Sequence, residues 1–494
     1  MGIFSLNPKH TLQNRMDAQR VLEIFKEITK IPRESGHEEP MTQFLMDFAA
    51  KHSLKAKRDA TGNVVICRPA SKGKENVPTL VLQAHQDMVC EKNAGVVHDF
   101  TKDPIKYVVE NGWMIAKDTT LGADDGIGIA SCLALLESDL PTGPLECLFT
   151  ISEETGMDGA MALEPGFFTG KTLINLDSED EGELFVGCAG GVTTYATFKY
   201  AKEEVKVSHR LVKLRLFGAM GGHSGDDINK ERCNTVQQLA RFLFEEMKYG
   251  PMQLIHINGG NKHNAIAREA EAVVAVSAER KKELIGRFNN FVKNLSAEFA
   301  VSDPEVTGSW EHYRGADRRV AIDGKTAERL ISALVAVHHG VLAMSQDIPG
   351  LVETSNNLAS VKMGKYRSIE VVTSQRSSVE SARNFIADKV EACFRLAGAD
   401  VERADPYPGW KPNMNSRILK ISFDSYKALF GYEPKVKAIH AGLECGLFLE
   451  KFPGLDMISF GPTLRGVHAP GEKLDLASNE KFVKHLTDVV TKFN

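Results

Sequence analysis

The clearest fold signal in the chain is the segment Leu80-Val-Leu-Gln-Ala-His85-Gln-Asp87. Its apolar beginning is typical of a buried strand in a parallel sheet, because such strands are covered on both faces. Residues i and i+2 of a strand face the same way, so the Asp87 carboxylate can lie behind the His85 imidazole. There it would fix the tautomer of a metal-binding histidine and raise its basicity. Taken alone, the pattern is more typical of a structural histidine–aspartate hydrogen bond, and the motifs downstream favour the metal-binding alternative.

Strands and polar motifs alternate on both sides of this segment. Four further motifs follow predicted strands or precede predicted helices: Leu121-Gly-Ala-Asp124-Asp125-Gly126 before an apolar helix over 127–136, Ser152-Glu153-Glu154-Thr-Gly156 after a strand over 145–151, Asp177 after a strand over 173–176, and Gly466-Val-His468 after a strand over 457–460. This order predicts an α/β domain, a mixed sheet flanked by helices, with its functional groups at the carboxyl ends of strands.

The character of the chain changes at Gly190-Gly191 and changes back near Tyr407-Pro-Gly-Trp410. Between these points, strands alternate with amphipathic helices. We therefore predict a first domain made of residues 1–190 and 403–494, with an α+β domain inserted over 191–402. Segments that begin at Asn264 and Asn357 both continue into a strand, a polar turn and a long helix, which indicates an internal duplication.

Length and composition exclude several classes of protein. A chain of 494 residues is too long for one core. A net charge of −5 provides no basic field for nucleic acid or a membrane surface. The eight cysteines form no C-x-x-C pair, which favours reduced thiols. The amino terminus lacks the apolar core of a secretory signal, and no apolar run reaches the length of a membrane span. We predict a cytoplasmic protein.

The motifs supply two imidazoles and three carboxylates, from His85, Asp124, Glu154, Asp177 and His468. One arrangement uses all five: Asp124 bridges two metal ions, His85 and Asp177 complete one ion, and Glu154 and His468 complete the other. Each ion then has three protein ligands and an open position, as catalytic zinc requires. Two ions that share a hydroxide would lower its pKa and polarise a carbonyl. These ligands favour zinc, and they also accommodate cobalt or manganese.

The paired acids allow a division of labour. The side chains of Glu153 and Glu154 diverge, so one can bind metal while the other acts as general base. Alone, such a pair also suits a solvated face, and Asp124-Asp125 suits a turn with a helix cap. Gly126-Ile-Gly128 lacks the spacing of a dinucleotide fingerprint, and the segment at His223 lacks the glycine of a serine-nucleophile elbow.

Taken together, these motifs resemble those of the co-catalytic di-zinc exopeptidases of the aminoacylase and carnosinase type. Within that family, three segments are similar to its bacterial aminoacyl-histidine dipeptidase branch: Leu-Gly-Ala-Asp124-Asp-Gly-Ile-Gly, Gly-Gly-His223-Ser-Gly and His440-Ala-Gly442-Leu-Glu444-Cys-Gly. The resemblance runs through essentially the whole chain.

The resemblance implies a catalytic domain interrupted by a lid domain, with a cis peptide bond between Asp124 and Asp125. It makes the five residues named above the metal ligands, places Asp87 behind His85 and makes Glu153 the base. His223 of the lid would stabilise the oxyanion. The substrate would be held by Asn264 and Arg376 at its C-terminal carboxylate, with Gly442 nearby, and by Glu444 at its amino group.

The predicted function is that of a di-zinc metallopeptidase which hydrolyses unblocked dipeptides, including Xaa-His dipeptides such as carnosine, by a metal-bridging water that a glutamate activates. Its partner would be a small peptide substrate, with neither nucleic acid nor a membrane, and the protein would be a monomer or a homodimer. Two alternatives stay open: an N-acyl-amino-acid deacylase on the same site, and a non-catalytic binding descendant of the fold.

Overall fold

The computed structural model describes residues 16–315 and 319–494. The amino-terminal segment on which the expected lack of a secretory signal rests lies outside the described residues. In the described part of the chain, no helix combines the length and apolar character needed to cross a membrane.

The chain divides into two compact units. Unit 1 contains the described residues up to Gly187 together with Pro412–Ala438 and Leu443–Asn494, and unit 2 contains Cys188–Lys411 and Ile439–Gly442.

The insertion therefore extends beyond the predicted boundary at residue 402. Backbone pairing explains the difference. Tyr407 pairs with Gly191, and Cys188 forms an antiparallel bridge with Trp410. The short segment 439–442 belongs to unit 2 because the Ala189 N–H donates to the carbonyls of Ile439 and Ala441.

The described residues form twelve α-helices: α1 Ala18–Ile28, α2 Glu39–Lys51, α3 Ala123–Glu137, α4 Glu153–Gly156, α5 Asp158–Ala162, α6 Thr235–Met247, α7 Ala278–Glu298, α8 Gly324–Ala336, α9 Glu380–Leu396, α10 Arg417–Phe430, α11 Glu444–Lys451 and α12 Leu476–Lys492.

They also form 23 strands: β1 Lys55–Arg58, β2 Val64–Arg68, β3 Leu80–His85, β4 Tyr107–Glu110, β5 Trp113–Ala116, β6 Leu145–Thr150, β7 Thr172–Asn175, β8 Glu183–Cys188, β9 Gly190–Lys199, β10 Lys202–Glu204, β11 His209–Phe217, β12 Gln253–Gly260, β13 Ala270–Ser277, β14 Thr307–His312, β15 Val320–Ile322, β16 Gly340–Met344, β17 Val352–Met363, β18 Ser368–Ser377, β19 Asp400–Tyr407, β20 Lys435–Ile439, β21 Asp456–Ser459, β22 Leu464–Arg465 and β23 Lys473–Asp475.

Unit 1 is built on an eight-stranded sheet in the order β1-β2-β6-β3-β7-β21-β8-β20. The central strand β3 runs parallel to both of its neighbours, β6 and β7, whereas β1, β2 and β6 pair antiparallel. Every residue of β3 is buried, as its apolar sequence predicts. The predicted mixed sheet flanked by helices is confirmed, and its parallel centre brings the carboxyl ends of β3, β6 and β7 to one edge.

Unit 2 is an α+β structure on a nine-stranded sheet in the order β14-β11-β13-β12-β17-β18-β9-β19, with β16 added beside β17. One face of this sheet packs with α6–α9 into a large apolar core. The arrangement is symmetric about the β12–β17 junction, because β11 lies between β14 and β13 while β9 lies between β19 and β18. Each half carries two strand-linking helices in the same order, which supports the predicted internal duplication.

Candidate active site

The edge of the unit 1 sheet collects the motifs found in the sequence. His85 is the last residue of β3, Glu153 and Glu154 begin α4 just beyond β6, and Asp177 lies two residues after β7. Asp124 lies near the start of α3, where its backbone (φ −82°, ψ 111°) is not helical. The Asp124–Asp125 peptide bond is cis, as the resemblance predicts.

Asp124 is the centre of the cluster. Its Oδ1 lies 3.0 Å from His85 Nε2, and its Oδ2 lies 3.1 Å from His468 Nε2. Asp177 Oδ1 is 3.4 Å from His85 Nε2, and Glu154 Oε2 is 2.8 Å from His468 Nε2. The structure thus brings all five residues together, in the two groups that share Asp124. Their role as metal ligands stays a prediction.

His468 differs from the other four in its exposure. It lies on a loop with positive φ (63°), and half of its side chain is exposed, compared with 1% for His85. The site therefore has one buried side and one side open to solvent. A small substrate can approach such a site, and catalytic metal sites keep an open position of this kind.

Asp87 connects His85 to the paired glutamates. Its Oδ1 lies 3.3 Å from His85 Nδ1 and accepts the Glu153 N–H, while its Oδ2 accepts the Glu154 N–H and the Ser35 hydroxyl. Burial alone would raise the pKa of Asp87, but the adjacent His85 imidazole and hydrogen bonds from Ser35 and the Glu153 N–H outweigh burial and lower the pKa to about 2. Asp87 thus orients both the imidazole and the start of α4.

The charges of the cluster are unbalanced. Burial opposes protonation of His85, yet the carboxylates of Asp177 and Asp124 raise its pKa well above the usual range. Hydrogen bonds to Asp124 and Glu154 raise the pKa of His468 to about 10. Carboxylates outnumber imidazoles, and protons balance them only in part. This donor set fits divalent cations, which displace such protons when they bind.

Asp125 adds a further carboxylate beside His85. Ligand-type atoms of His85, Asp125 and Asp177 lie within 4.8 Å of one another. Asp125 Oδ1 accepts the Gly128 N–H, and a Cβ at Gly128 would lie 2.3 Å from that oxygen. Gly128 is thus required for close packing against Asp125, which explains the Gly-Ile-Gly segment without a dinucleotide.

Arg33 is buried and lies in no sequence motif that predicts a role at the site. Its guanidinium donates to the carbonyls of Gln86 and Asp87 at the end of β3 and to the carbonyl of Gly122 before α3. Gly122 has φ +67°, and a Cβ there would lie 2.5 Å from the guanidinium. Arg33 therefore ties the His85 strand to the Asp124 turn.

Glu472 likewise lies in no sequence motif that predicts a role at the site. This buried carboxylate accepts the backbone N–H groups of four consecutive residues: Leu121, Gly122, Ala123 and Asp124, at 2.8, 3.0, 2.8 and 3.4 Å. It lies four residues after His468, so one side chain fixes the Asp124 turn to the loop that carries His468. Its place in Pro470-Gly-Glu472 carries no local pattern that predicts this role.

Glu153 and Glu444 are neighbouring acids. Burial, followed by the charges of Glu444 and Glu154, raises the pKa of Glu153 well above its usual range. Glu444 Oε2 accepts from Gln83 and from the Thr150 hydroxyl, and its Oε1 has no hydrogen-bond partner among the described residues. Burial raises the pKa of Glu444 to about 7. The predicted amino-group partner thus lies buried, with one oxygen unused.

The other predicted substrate residues lie in unit 2. The His223 N–H donates to Asp227 Oδ2 (2.8 Å), and His223 Nδ1 accepts from the N–H groups of Gly225 and Asp226 at 3.3 and 3.4 Å. The same Nδ1 lies 3.2 Å from Asp226 Oδ2. His223 and Asn264 line one cavity of about 670 Å³ within unit 2.

Asn264, Arg376 and Gly442 lie in three separate segments of unit 2. Asn357 donates to the carbonyls of His263 and Ala265, so it holds the loop of Asn264 from both sides. Arg376 is 6% exposed in β18. Gly442 lies in the loop between β20 and α11. In the sequence Asn357 marks only the start of one repeated segment, and its amide contacts become visible in the structure.

The chain is similar to several known proteins. Residues 81–492 match the model of peptidase family M20/M25/M40. The chain is 38% identical over 478 residues to the cytosol non-specific dipeptidase of Escherichia coli K12, covering 97% of this chain and 98% of that protein.

Two solved structures are also similar. The aminoacylhistidine dipeptidase of Vibrio alginolyticus aligns with a TM-score of 0.90 and 39% identity over 96% of each chain. An aminopeptidase from Bacillus cereus aligns with a TM-score of 0.56 at 16% identity and is similar in fold alone. The family resemblance is confirmed: the chain belongs to peptidase family M20/M25/M40.

Proposed function

We propose that the protein is a metal-dependent dipeptidase of the cytoplasm that hydrolyses unblocked dipeptides, Xaa-His dipeptides among them. The observation that carries the proposal is the position of Asp124, whose two oxygens each face one imidazole at an edge of the sheet that is open to solvent. The two dipeptidases to which the chain is 38–39% identical over nearly their whole length support the substrate class.

The residues present fit two divalent cations. His85 and Asp177 would hold one ion and Glu154 and His468 the other, with Asp124 shared. Zinc is the proposed metal because the donors are imidazole and carboxylate, and cobalt or manganese suit the same donors. When bound, the ions would supply Lewis acidity for the peptide carbonyl and lower the pKa of the attacking water.

Glu153 is the proposed general base. Asp87 holds the Glu153 backbone through a hydrogen bond of 3.1 Å, so the side chain has a defined origin beside Glu154. A carboxylate with a raised pKa is suited to take the proton of water and to return it to the leaving amino group. Burial and the neighbouring acids raise the pKa of Glu153 in this way.

His223 is the proposed oxyanion donor. Two backbone N–H groups point at its Nδ1, which favours Nδ1 as an acceptor and leaves the proton on Nε2. An imidazolium paired with Asp226 would also carry a proton on Nε2. In both forms Nε2 can donate a hydrogen bond to the developing oxyanion, a contribution of about 10²–10³-fold in kcat for one donor.

Arg376, Asn264 and Gly442 are the proposed site for the free carboxylate of the substrate. A guanidinium can bind both oxygens of a carboxylate at once. At the other end, Oε1 of Glu444 would accept from the free amino group. Because Glu444 is 1% exposed, that contact requires a neighbouring side chain to move.

A substrate panel tests the proposal. Protein loaded with zinc is assayed against carnosine, unblocked dipeptides with and without C-terminal histidine, a tripeptide and an N-acetyl amino acid. We expect hydrolysis of the dipeptides and loss of activity on chelation. Hydrolysis of the N-acetyl amino acid alone would indicate a deacylase. Inactivity towards the whole panel with metal bound would indicate a non-catalytic descendant.

A further inference from the structure

Several buried polar atoms of unit 2 lack a hydrogen-bond partner in the described part of the chain. They belong to side chains that are at most 6% exposed and that include, or adjoin in sequence or by hydrogen bond, the proposed carboxylate residues: Ser224 Oγ, Asn357 Oδ1, Arg376 Nε and His440 Nδ1. A buried polar atom without a partner costs free energy. Such a group of atoms is expected where a polar ligand completes the hydrogen bonding.

The strand register places His440 beside Arg376. Arg376 of β18 lies directly opposite Ser355 of β17, and directly opposed residues of antiparallel strands extend to the same face of the sheet. The Ser355 hydroxyl lies 2.8 Å from His440 Nε2. One edge of the imidazole is therefore held by a cross-strand neighbour of Arg376, while Nδ1 has no hydrogen-bond partner among the described residues.

Tyr407 occupies one end of the guanidinium. Arg376 Nη1 donates to Tyr407 Oη at 3.0 Å. On the other side of β18, Gly191 of β9 pairs with Arg376. A Cβ on Gly191 would lie 2.5 Å from the Tyr407 ring, so glycine at this position leaves room for the ring. With Nη1 occupied, the Nε–Nη2 edge is left, which matches the two oxygens of a carboxylate.

His440 provides a hydrogen bond without a charge. Burial and then the charge of Arg376 lower its pKa to about 3, against smaller opposing effects of Asp226 and the Val352 carbonyl. Its own carbonyl lies 2.4 Å from the Cβ position of Gly225, so the chain at His440 packs directly on the His223 loop. His440 thus adjoins both the strand pair that carries the proposed carboxylate clamp and the loop that carries the proposed oxyanion donor.

We propose that His440 is a substrate-binding residue, whose Nδ1–H donates to the C-terminal carboxylate that the Nε–Nη2 edge of Arg376 holds. With the Ser355 hydroxyl as the donor to Nε2, the ring proton stays on Nδ1, and Tyr407 sets the angle of the guanidinium. Both are positioning residues. This inference rests on the proposed function, and it makes a free carboxylate the preferred ligand over an amide.

Kinetics on matched substrates test the inference. For His440→Leu, KM for a free dipeptide should rise about 10- to 100-fold, because a hydrogen bond to a charged group is lost, while kcat changes little. KM for the C-terminal amide of that dipeptide should not change. His440→Asn keeps a donor near Nδ1 and should recover part of the loss. Equal changes for both substrates, or an unchanged KM, would overturn the proposal.

Ser355→Ala and Thr354→Val form a matched pair of variants. They test the inference even if the His440 variants do not fold. Thr354 is the adjacent residue on the opposite face of β17, where its hydroxyl bonds to Ser377. Each variant removes one buried hydroxyl contact. Ser355→Ala should raise KM for the free dipeptide and Thr354→Val should not. The same rise in both would indicate a general effect on the sheet and contradict the role of Ser355.

Calorimetric binding separates this inference from the proposed function. Wild-type protein and His440→Leu, each with metal content checked, are titrated with free histidine and with histidinamide. Weaker binding of histidine alone supports the inference even if no dipeptide is hydrolysed, an outcome that would refute only the proposed function. Hydrolysis by the wild type with identical histidine binding in both proteins would refute only the inference.

Discussion

Two adjacent glutamates have different surroundings at the residue scale. Glu154 lies 2.8 Å from His468 and belongs to the proposed ligand set. Glu153 has no ion pair among the described residues, and neighbouring acids help to raise its pKa. Their difference arises from the start of α4, where successive side chains diverge while Asp87 holds both backbone N–H groups.

Glutamine substitution should separate the two roles. Glu153→Gln is expected to keep both metals and to lose about 10²–10⁴-fold in kcat, the contribution of general base catalysis. Glu154→Gln is expected to lose bound metal, because it removes a charged ligand. Metal analysis together with kcat on one dipeptide checks both variants. Equal metal loss in the two would assign ligation to both and exclude Glu153 as the base.

At the scale of elements, single buried carboxylates join segments that are distant in the chain. Glu472 caps the Asp124 turn at the start of α3 through four N–H groups. Glu146 does a similar task far from the metal ligands, where its Oε2 accepts the N–H groups of Thr169 and Gly170 at 2.7 and 2.9 Å. The two carboxylates therefore allow a controlled comparison.

Glu472→Gln should weaken metal binding by about 10- to 100-fold, the usual effect of losing a group that orients metal ligands. The new amide places a donor against N–H groups, so the Asp124 turn loses its fixed position. Glu146→Gln should lower the free energy of unfolding without a change in metal affinity. Competition with a chelator measures the affinity. Similar affinities in both variants would show that Glu472 acts on stability alone.

The His223 loop depends on glycine at residue 222. Gly222 has φ +133°, and a Cβ there would lie 2.1 Å from Arg232 Nη1 and 2.4 Å from Asp227 Oδ2. Because Asp227 accepts the His223 N–H, such a Cβ would displace His223 itself. The loop is built around a close approach that only glycine allows.

Gly222→Ala should therefore lower kcat about 10- to 1,000-fold with metal content unchanged, up to the full value of one oxyanion donor. Gly350→Ala is the control, since Gly350 has φ +82° and, apart from its own atoms and those of its chain neighbours, no atom of the described residues lies within 4 Å of its Cβ position. It tests backbone strain alone in the same unit. Equal activity of Gly222→Ala and the wild type would separate the loop from the chemistry.

At the scale of the whole molecule, metal binding should contribute to stability. The proposed ligands all belong to unit 1 but come from both sides of the insertion, since His468 lies beyond residue 411. Ions that bind only the folded chain raise its free energy of unfolding with their concentration. In addition, bound cations would reduce the electrostatic repulsion among the buried carboxylates of the proposed ligand cluster.

Chelation should lower the thermal unfolding midpoint of the wild type, and zinc should restore it in a concentration-dependent way. Without added zinc, the unfolding midpoint of Asp124→Asn should lie near that of the chelated wild type. Zinc should raise this midpoint little, because the substitution removes the charge of the shared ligand. Differential scanning calorimetry measures both. A midpoint that chelation leaves unchanged would contradict a structural contribution from the site.

The sequence by itself determined the central strand, the mixed α/β class and the motif residues, because these depend on patterns within a few residues. The buried run before His85, the i and i+2 relation to Asp87 and the position of Glu153 after a strand are local properties. The family resemblance connected these local motifs through their order along the chain. It also predicted the cis peptide bond between Asp124 and Asp125, which the structure contains.

Only the tertiary structure decided which residues hold the site in place. Arg33 meets the Gly122 carbonyl 89 residues away, and Glu472 meets Leu121 across 351 residues. Ser355 meets His440 across 85 residues. The true end of the insertion, near residue 411, likewise depends on pairing between distant strands. Such contacts follow no period in the sequence, since their partners become neighbours only when the sheets assemble.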